Sequence, residues 1–205
     1  QLRIETQPGD INGDTNQSPR NFVLQDLPDG DWTIQTRLTP TMLHRWQLAG
    51  FLVYADDDNY VKFDVVATNT SGAPTDLRAE LVSERNGQFG NGGNRSIDVA
   101  EATESGWYDL RLKRTGNTYS AEISDGGVAW TSLGDPVTND VPMTSFGLMA
   151  LGPEQVSPVT VAFDYFRVVD TVAPSVSVAV DPAAPNGDNG WYVSPVTVSA
   201  TGTDD

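Results

Sequence analysis

Short runs of alternating apolar and polar residues follow one another along this chain, cut apart by clusters of Gly, Asn, Asp and Pro. Helical spacing of apolar residues is hard to find anywhere. A period of two sends neighbouring side chains to opposite faces of an extended strand, so such a chain folds as sheet with one face buried. Residues 31–39 put Trp32, Ile34 and Leu38 on one side. Residues 49–55 and 60–66 flank Ala55-Asp56-Asp57-Asp58-Asn59, residues that tolerate the tight backbone of a hairpin turn. Val61, Phe63 and Val65 then point one way and Tyr60, Lys62 and Asp64 the other. The pattern returns as Leu77, Ala79 and Leu81 against Arg78 and Glu80. It returns again as Tyr108, Leu110 and Leu112 against Trp107, Asp109, Arg111 and Lys113. A further run sets Tyr119, Ala121 and Ile123 against Thr118, Ser120 and Glu122. Residues 146–151 and 159–169 are nearly continuously apolar, as central strands are. At least eight strands of about 5–8 residues predict an all-β, two-sheet sandwich.

The pattern changes near residue 170. Asp170-Thr171-Val172-Ala173-Pro174 reads as a linker (170–174), and two more alternating strands, 175–180 and 193–200, surround a stretch rich in Pro, Gly, Asn and Asp. Two strands cannot bury a core of their own. Residues 175–205 are therefore expected to be the truncated start of a second domain or a segment docked on the first, apart from a sandwich over 1–169.

Charge and composition narrow the function. The 205 residues carry 12 Lys+Arg against 28 Asp+Glu, a net charge of −16. That argues against nucleic acid, whose phosphates need a basic face, and against anionic membrane surfaces. No apolar run approaches the roughly 18 residues of a membrane span. The absence of cysteine removes disulfides, thiolate metal sites and Cys nucleophiles together. The single histidine, His44, sits in Met-Leu-His-Arg-Trp, and no Gly-x-Ser-x-Gly elbow accompanies it, so a nucleophile triad is not expected.

The stretch Gly106-Trp107-Tyr108-Asp109-Leu110-Arg111-Leu112-Lys113-Arg114, followed by Thr118-Tyr119-Ser120 and Ser124-Asp125-Gly126-Gly127, resembles one particular module. It is similar to the concanavalin A-like β-sandwich, a jelly roll, at the C-terminus of family 43 glycoside hydrolases of the β-xylosidase type. Three more segments fit the same module in the same order: 19–25 with Gly30-Asp31-Trp32, the hairpin 49–62, and Ala162-Phe163-Asp164-Tyr165-Phe166-Arg167-Val168. The resemblance covers residues 1–169. Separately, Asp181-Pro182, Gly187-Asp188-Asn189-Gly190-Trp191-Tyr192 and Ser194-Pro195-Val196 are similar to the first strands of bacterial immunoglobulin-like repeats. The resemblances imply a secreted, extracellular, non-catalytic module of a bacterial multidomain enzyme. Its expected partners are a polysaccharide or oligosaccharide and neighbouring domains of the same polypeptide. A spacer that packs on a catalytic domain and binds no sugar is the alternative, and a glycosidase in its own right a third reading.

A glycosidase needs two carboxylates flanking a cleft, one with a raised pKa. The Glu-x-Asp-x-x-Glu of concanavalin-like glucanases is absent. Asp64 and Glu80 instead sit beside Lys62 and Arg78, an arrangement that suits salt bridges and lowers carboxylate pKa values. The candidates for ligand binding are Trp46, Tyr54, Lys62, Asp64, Arg78, Glu80, Trp107 and Arg111. If their strands share one sheet, they make a face of alternating charge with aromatic rings at hand, a chemistry that suits sugars. Cross-strand ion pairs on a solvated face would account for the same residues. Trp46 and Trp107 expose large apolar surfaces, which mark contact sites; Trp107 packed under the next hairpin is the alternative. Trp32 and Trp130 are assigned to the core or to turn packing.

The resemblance also implies a structural calcium. Phe163-Asp164-Tyr165-Phe166 is similar to the last strand of related glucanases and carbohydrate-binding modules, whose Asp binds the metal, so Asp164 is the expected ligand. An Asp hydrogen-bonded to backbone at a sheet edge is the alternative. Asp10-Ile11-Asn12-Gly13-Asp14 imitates the opening of an EF-hand loop, but Thr15 and Asn21 stand where that loop needs Gly and Glu.

Overall fold

The computed structural model describes residues 1–13, 20–39, 41–68, 76–100, 103–153, 156–169 and 175–203. In chain order the strands are β1 (Leu2–Glu5), β2 (Gln7–Pro8), β3 (Phe22–Asp26), β4 (Trp32–Leu38), β5 (Leu48–Asp56) and β6 (Asn59–Ala67). There follow β7 (Leu77–Arg85), β8 (Gln88–Val99), β9 (Tyr108–Thr115), β10 (Thr118–Asp125), β11 (Thr131–Ser132) and β12 (Val137–Thr138). The last are β13 (Ser145–Gly152), β14 (Thr160–Val168), β15 (Ser175–Asp181) and β16 (Thr197–Thr203). Among the described residues no helix is long and apolar enough to cross a membrane.

By contacts the chain divides into two compact units, Gln1–Val169 and Asp170–Asp205. The first is a two-sheet sandwich. Sheet one runs β1-β14-β4-β9-β10-β11, with β12 also on β10; sheet two runs β2-β13-β5-β6-β7-β8, with β3 also on β13. All pairs are antiparallel except the short β2–β13 contact.

The alternation read from sequence decides which side chains meet between the sheets. Ile34 and Leu38, Phe51 and Val53, Val61, Phe63 and Val65, Leu77 and Leu81, and Leu110 and Leu112 all enter one core with Trp32, Tyr119 and Phe146. Each such side chain contributes about 1.5–3 kcal/mol when fully buried, so this shared face outweighs local propensity in choosing the fold. Trp32 sits in that core, its ring 5.3 Å from Phe146 and 6.2 Å from Tyr119. The hairpin after β5 closes at Asp57-Asp58, and the Asp56 carboxylate accepts from the Asp58 N–H and the Asn59 amide.

Two features depart from the pattern. Residues 88–99, with glycines at 90, 92 and 93, show no apolar alternation, yet they form β8, at 12 residues the longest described strand. Asn86-Gly87 starts it with two left-handed residues (φ 53° and 67°), the chemistry of a tight hairpin. Gly92 is there for space: a Cβ would stand 1.8 Å from the Thr138 carbonyl oxygen. The second departure is cover. The outer face of sheet two is not solvated throughout, because Ile11 lies over it and forms a second cluster with Leu52, Tyr60, Val66 and Met149, joined by Phe22 and Leu24 of the neighbouring β3.

The C-terminal unit pairs β15 with β16 antiparallel, Ser175 opposite Thr203 through to Asp181 opposite Thr197. None of its described residues is buried. The expected linker, 170–174, lies outside the described residues.

Candidate functional site

On the outer face of sheet two, β6 and β7 form the floor of a cavity of about 330 Å³. Lys62, Val66, Arg78 and Glu80 rise from that floor, while Asp10–Asn12, Trp46 and Phe89 stand around it. The two-residue period places Lys62, Asp64 and Val66 on the same side of β6. Register sets Asp64 opposite Glu80 on β7.

The charges in this floor are buried. The Lys62 side chain is 4% exposed, and its Nζ lies 2.6 Å from Glu80 Oε1 and 3.0 Å from Asp64 Oδ2. The ammonium donates to Glu80, whereas its approach to Asp64 has ion-pair distance without hydrogen-bond direction, and neither Asp64 oxygen has a hydrogen-bond partner. Burial alone would lower the Lys62 pKa, but the two carboxylates reverse this and hold it above the ordinary lysine value. Burial pushes the Asp64 carboxyl up to about 7 against the pull of Lys62. The expectation of lowered pKa values beside these cations therefore fails at Asp64, where desolvation exceeds attraction. Burial also raises Asp10, with Lys62 opposing it. Beneath the same segment Glu84 accepts the Gly13 N–H, and Tyr60 Oη lies 2.8 Å from Glu84 Oε2.

Trp46 is presented by a built turn. Gln47, fully buried, accepts the N–H groups of Leu43 and His44 at Oε1 and donates through Nε2 to the Ser157 carbonyl. Trp46 N–H donates to Ala67 O at the end of β6. The result is a tryptophan at φ +68°, a conformation unfavourable for a bulky residue, with its side chain 47% exposed. Arg45 stacks over the ring at 4.4 Å. Arg78, also lining the cavity, has no hydrogen-bond or ion-pair partner among the described residues.

Residues 1–169 match the family of β-xylosidase C-terminal concanavalin A-like domains. The chain belongs to that family. The module's fold is similar to the GH43 BlXynB protein of Bacillus licheniformis (TM-score 0.66, 16% identity, 82% of this chain and 32% of that one). It is similar also to xylan β-1,4-xylosidase of Bacillus halodurans C-125 (TM-score 0.63, 17% identity, 82% and 32%). A functionally unknown protein of Saccharomyces cerevisiae is matched over 88% of its length and 83% of this chain (TM-score 0.63, 16% identity). Likeness at these identities speaks to the fold alone. The chain spans about a third of the length of the two bacterial enzymes. No match was found among curated proteins. This is a concanavalin A-like module of GH43 type, a non-catalytic domain of such enzymes.

In this GH43-type module the anticipated single binding face divides between two sheets. Trp46, Lys62, Arg78 and Glu80 line the cavity, with Asp64 beside Lys62. Tyr54 shares their face but lies outside the cavity, donating to Asp57 (2.6 Å) and packing on Phe22. Trp107 and Arg111 belong to sheet one, because β9 pairs with β4 and β10. Trp107 is half-buried just before β9, its N–H donating to Ser105 Oγ. Arg111 pairs with Glu122 at 3.0 Å and lies 3.8 Å over the half-buried ring of Trp130. Trp107 therefore does not stand beneath a ligand held by Lys62 and Arg78.

Asp164 is exposed at the irregularity between Phe163 and Phe166 in β14. Among the described residues no three carboxylate or histidine side chains gather as a metal cage there or elsewhere. The residues missed from sequence are Asp10, Asn12, Phe89 and Gln47. Asp10 and Asn12 stood in an oxygen-rich run that fails as an EF-hand, and nothing local shows that this run crosses β6.

Proposed function

We propose that this module is a carbohydrate-binding accessory domain of a secreted bacterial enzyme, and that the glycan lies in the cavity over β6 and β7. The observation that carries this reading is Trp46, held half-exposed in a left-handed turn beside Arg78, which has no hydrogen-bond or ion-pair partner among the described residues. An exposed indole offers a flat apolar surface to the C–H face of a sugar ring. Arg78, Glu80 and Asn94 offer donors and acceptors for hydroxyls. Asp10, Asp64 and Glu80 stand against Lys62 and Arg78, so the cavity favours a neutral chain over an acidic one. The family's association with β-xylosidases makes xylo-oligosaccharides the first probe. Calorimetric titration of the 205-residue chain with xylohexaose and arabino-oligosaccharides tests the reading. Binding that Trp46→Ala weakens about tenfold supports it, and absence of binding to every neutral glycan tried would overturn it.

A second observation favours a packing role. Leu2 and Val23 are exposed around an apolar pocket of about 140 Å³ that reaches Phe166 at the sandwich edge. In this reading that edge meets a catalytic domain, and residues 175–205 begin an immunoglobulin-like repeat.

A further inference from the structure

The outer face of sheet one carries a second arrangement, independent of the cavity. Register aligns Arg167 of β14, Gln35 of β4, Arg111 of β9 and Glu122 of β10 in one row across the sheet. Arg37 lies two residues from Gln35 on the same face, diagonal to Arg167, a separation of roughly 7–8 Å between backbone positions. Both guanidinium groups surround one ring: the Arg37 carbon is 6.0 Å and the Arg167 carbon 5.1 Å from the centre of Tyr165.

Buried side chains fix both groups from below. Gln35 accepts from Arg167 through Nε (3.2 Å) and Nη2 (2.5 Å). Asp109 Oδ1 accepts from Arg37 Nε (2.9 Å) and from Tyr165 Oη (3.0 Å). Gln35 and Asp109 are 3% and 1% exposed. Both terminal nitrogens of Arg37 and Nη1 of Arg167 make no hydrogen bond among the described residues. Arg37 is about a third exposed and Arg167 is exposed.

Two like charges held around one ring oppose folding slightly, and freely moving side chains would separate. Here a buried acceptor holds each one with its outer edge free, which is how a planar oxyanion is received in a fork. The surroundings agree. Arg37, Arg111, Arg167 and Lys113 face Asp109, Glu122 and exposed Asp164, four cations to three carboxylates, in a chain with 12 bases and 28 acids. The acid excess of the whole chain is reversed here.

We propose that Arg37 and Arg167, set around Tyr165, form a clamp for the carboxylate of an acidic sugar residue in a polysaccharide. The rings of Tyr165 and Trp130, each lying against an arginine, give that face flat apolar surface for the sugar itself. An acidic segment of another protein is the competing occupant, and the sugar is favoured because both cations surround aromatic surface.

The full chain is tested by affinity electrophoresis on glucuronoxylan and on the same polymer with its carboxyl groups reduced to alcohols. Wild type should bind the native polymer about tenfold more tightly than the reduced one. R37Q/R167Q should bring that ratio to about one, while W46A weakens retention on both polymers alike and leaves the ratio near ten. Because R37Q strips buried Asp109 of its cation, R37K/R167Q serves as the folded alternative and should lower the ratio several-fold. A ratio of one in wild type overturns the clamp, as does a tenfold ratio that survives in R37K/R167Q. Polyglutamate competing as well as glucuronoxylan would assign the face to an acidic protein and overturn the sugar assignment.

Discussion

Lys62 and Glu80 are joined at 2.6 Å on diagonal positions of β6 and β7, with almost no solvent at either charge. Asp64 completes the group at 3.0 Å from the same ammonium. Removing the shared cation would leave two carboxylates buried and facing one another. Lys62→Met should therefore cost about 3–5 kcal/mol, the usual penalty for breaking a buried ion pair from one side. Urea denaturation measures this, and a loss below about 1 kcal/mol would mean that water reaches the cluster.

The same group sets the response to pH. Asp64, Asp10 and Glu84 all have pKa values raised by burial. A carboxyl whose pKa is higher folded than unfolded binds more protons in the native state, so stability falls as pH rises between the two values. For Asp64 that window runs from 3.8 to about 7. Lys62, raised as a cation, stays charged throughout it. Melting temperature should thus rise as pH falls from 7.5 to 5, by roughly 2–8 °C if 1–2 kcal/mol is recovered in a chain of this size. Asp64→Asn should flatten much of the slope.

Trp46 separates strain from binding. Its left-handed backbone disfavours any side chain and suits glycine. Trp46→Gly should accordingly be more stable than Trp46→Ala by about 1 kcal/mol, while both lose glycan affinity equally. A stability order of Ala above Gly would mean that the turn relaxes and that Gln47 does not hold it.

Gly92 tests the close approach of β8 to the Thr138 backbone. Gly92→Ala puts a methyl where the carbonyl oxygen and Ser83 Oγ already lie, 1.8 Å and 2.2 Å from the ideal Cβ. It should destabilise by at least about 2 kcal/mol, since backbone has to move. Gly30→Ala, at φ +72° with no atom near its Cβ, should cost only about 1 kcal/mol of conformational strain.

Residues 1–169 contain both apolar clusters. A chain ending at Val169 should keep the far-ultraviolet circular dichroism of a sheet protein and a single cooperative melt. Loss of cooperativity would show that the core is incomplete without residues 170–205.

Alternation determined by itself which side chains of β4, β6, β7, β9 and β10 enter the core, because a period of two is a local property of an extended chain. The turn at Asp57-Asp58 was legible from a local signal too, a run of Asp and Asn that tolerates tight backbone. Tertiary structure decided everything about the opposite faces. Whether Tyr60, Lys62 and Asp64 meet water depends on Ile11 and Asn12 crossing them from about 50 residues away, a relation no local period encodes. The assignment of Trp107 and Arg111 to the other sheet is likewise a matter of strand order, set by which edges pair. β8 stayed hidden because its glycines are required by the backbone that passes over them and carry no apolar signal of their own. The clamp around Tyr165 needed three non-consecutive strands in register. Pairing of distant segments is governed by the closing of the whole core, so the core-facing pattern could be read in advance and the outer surfaces could not.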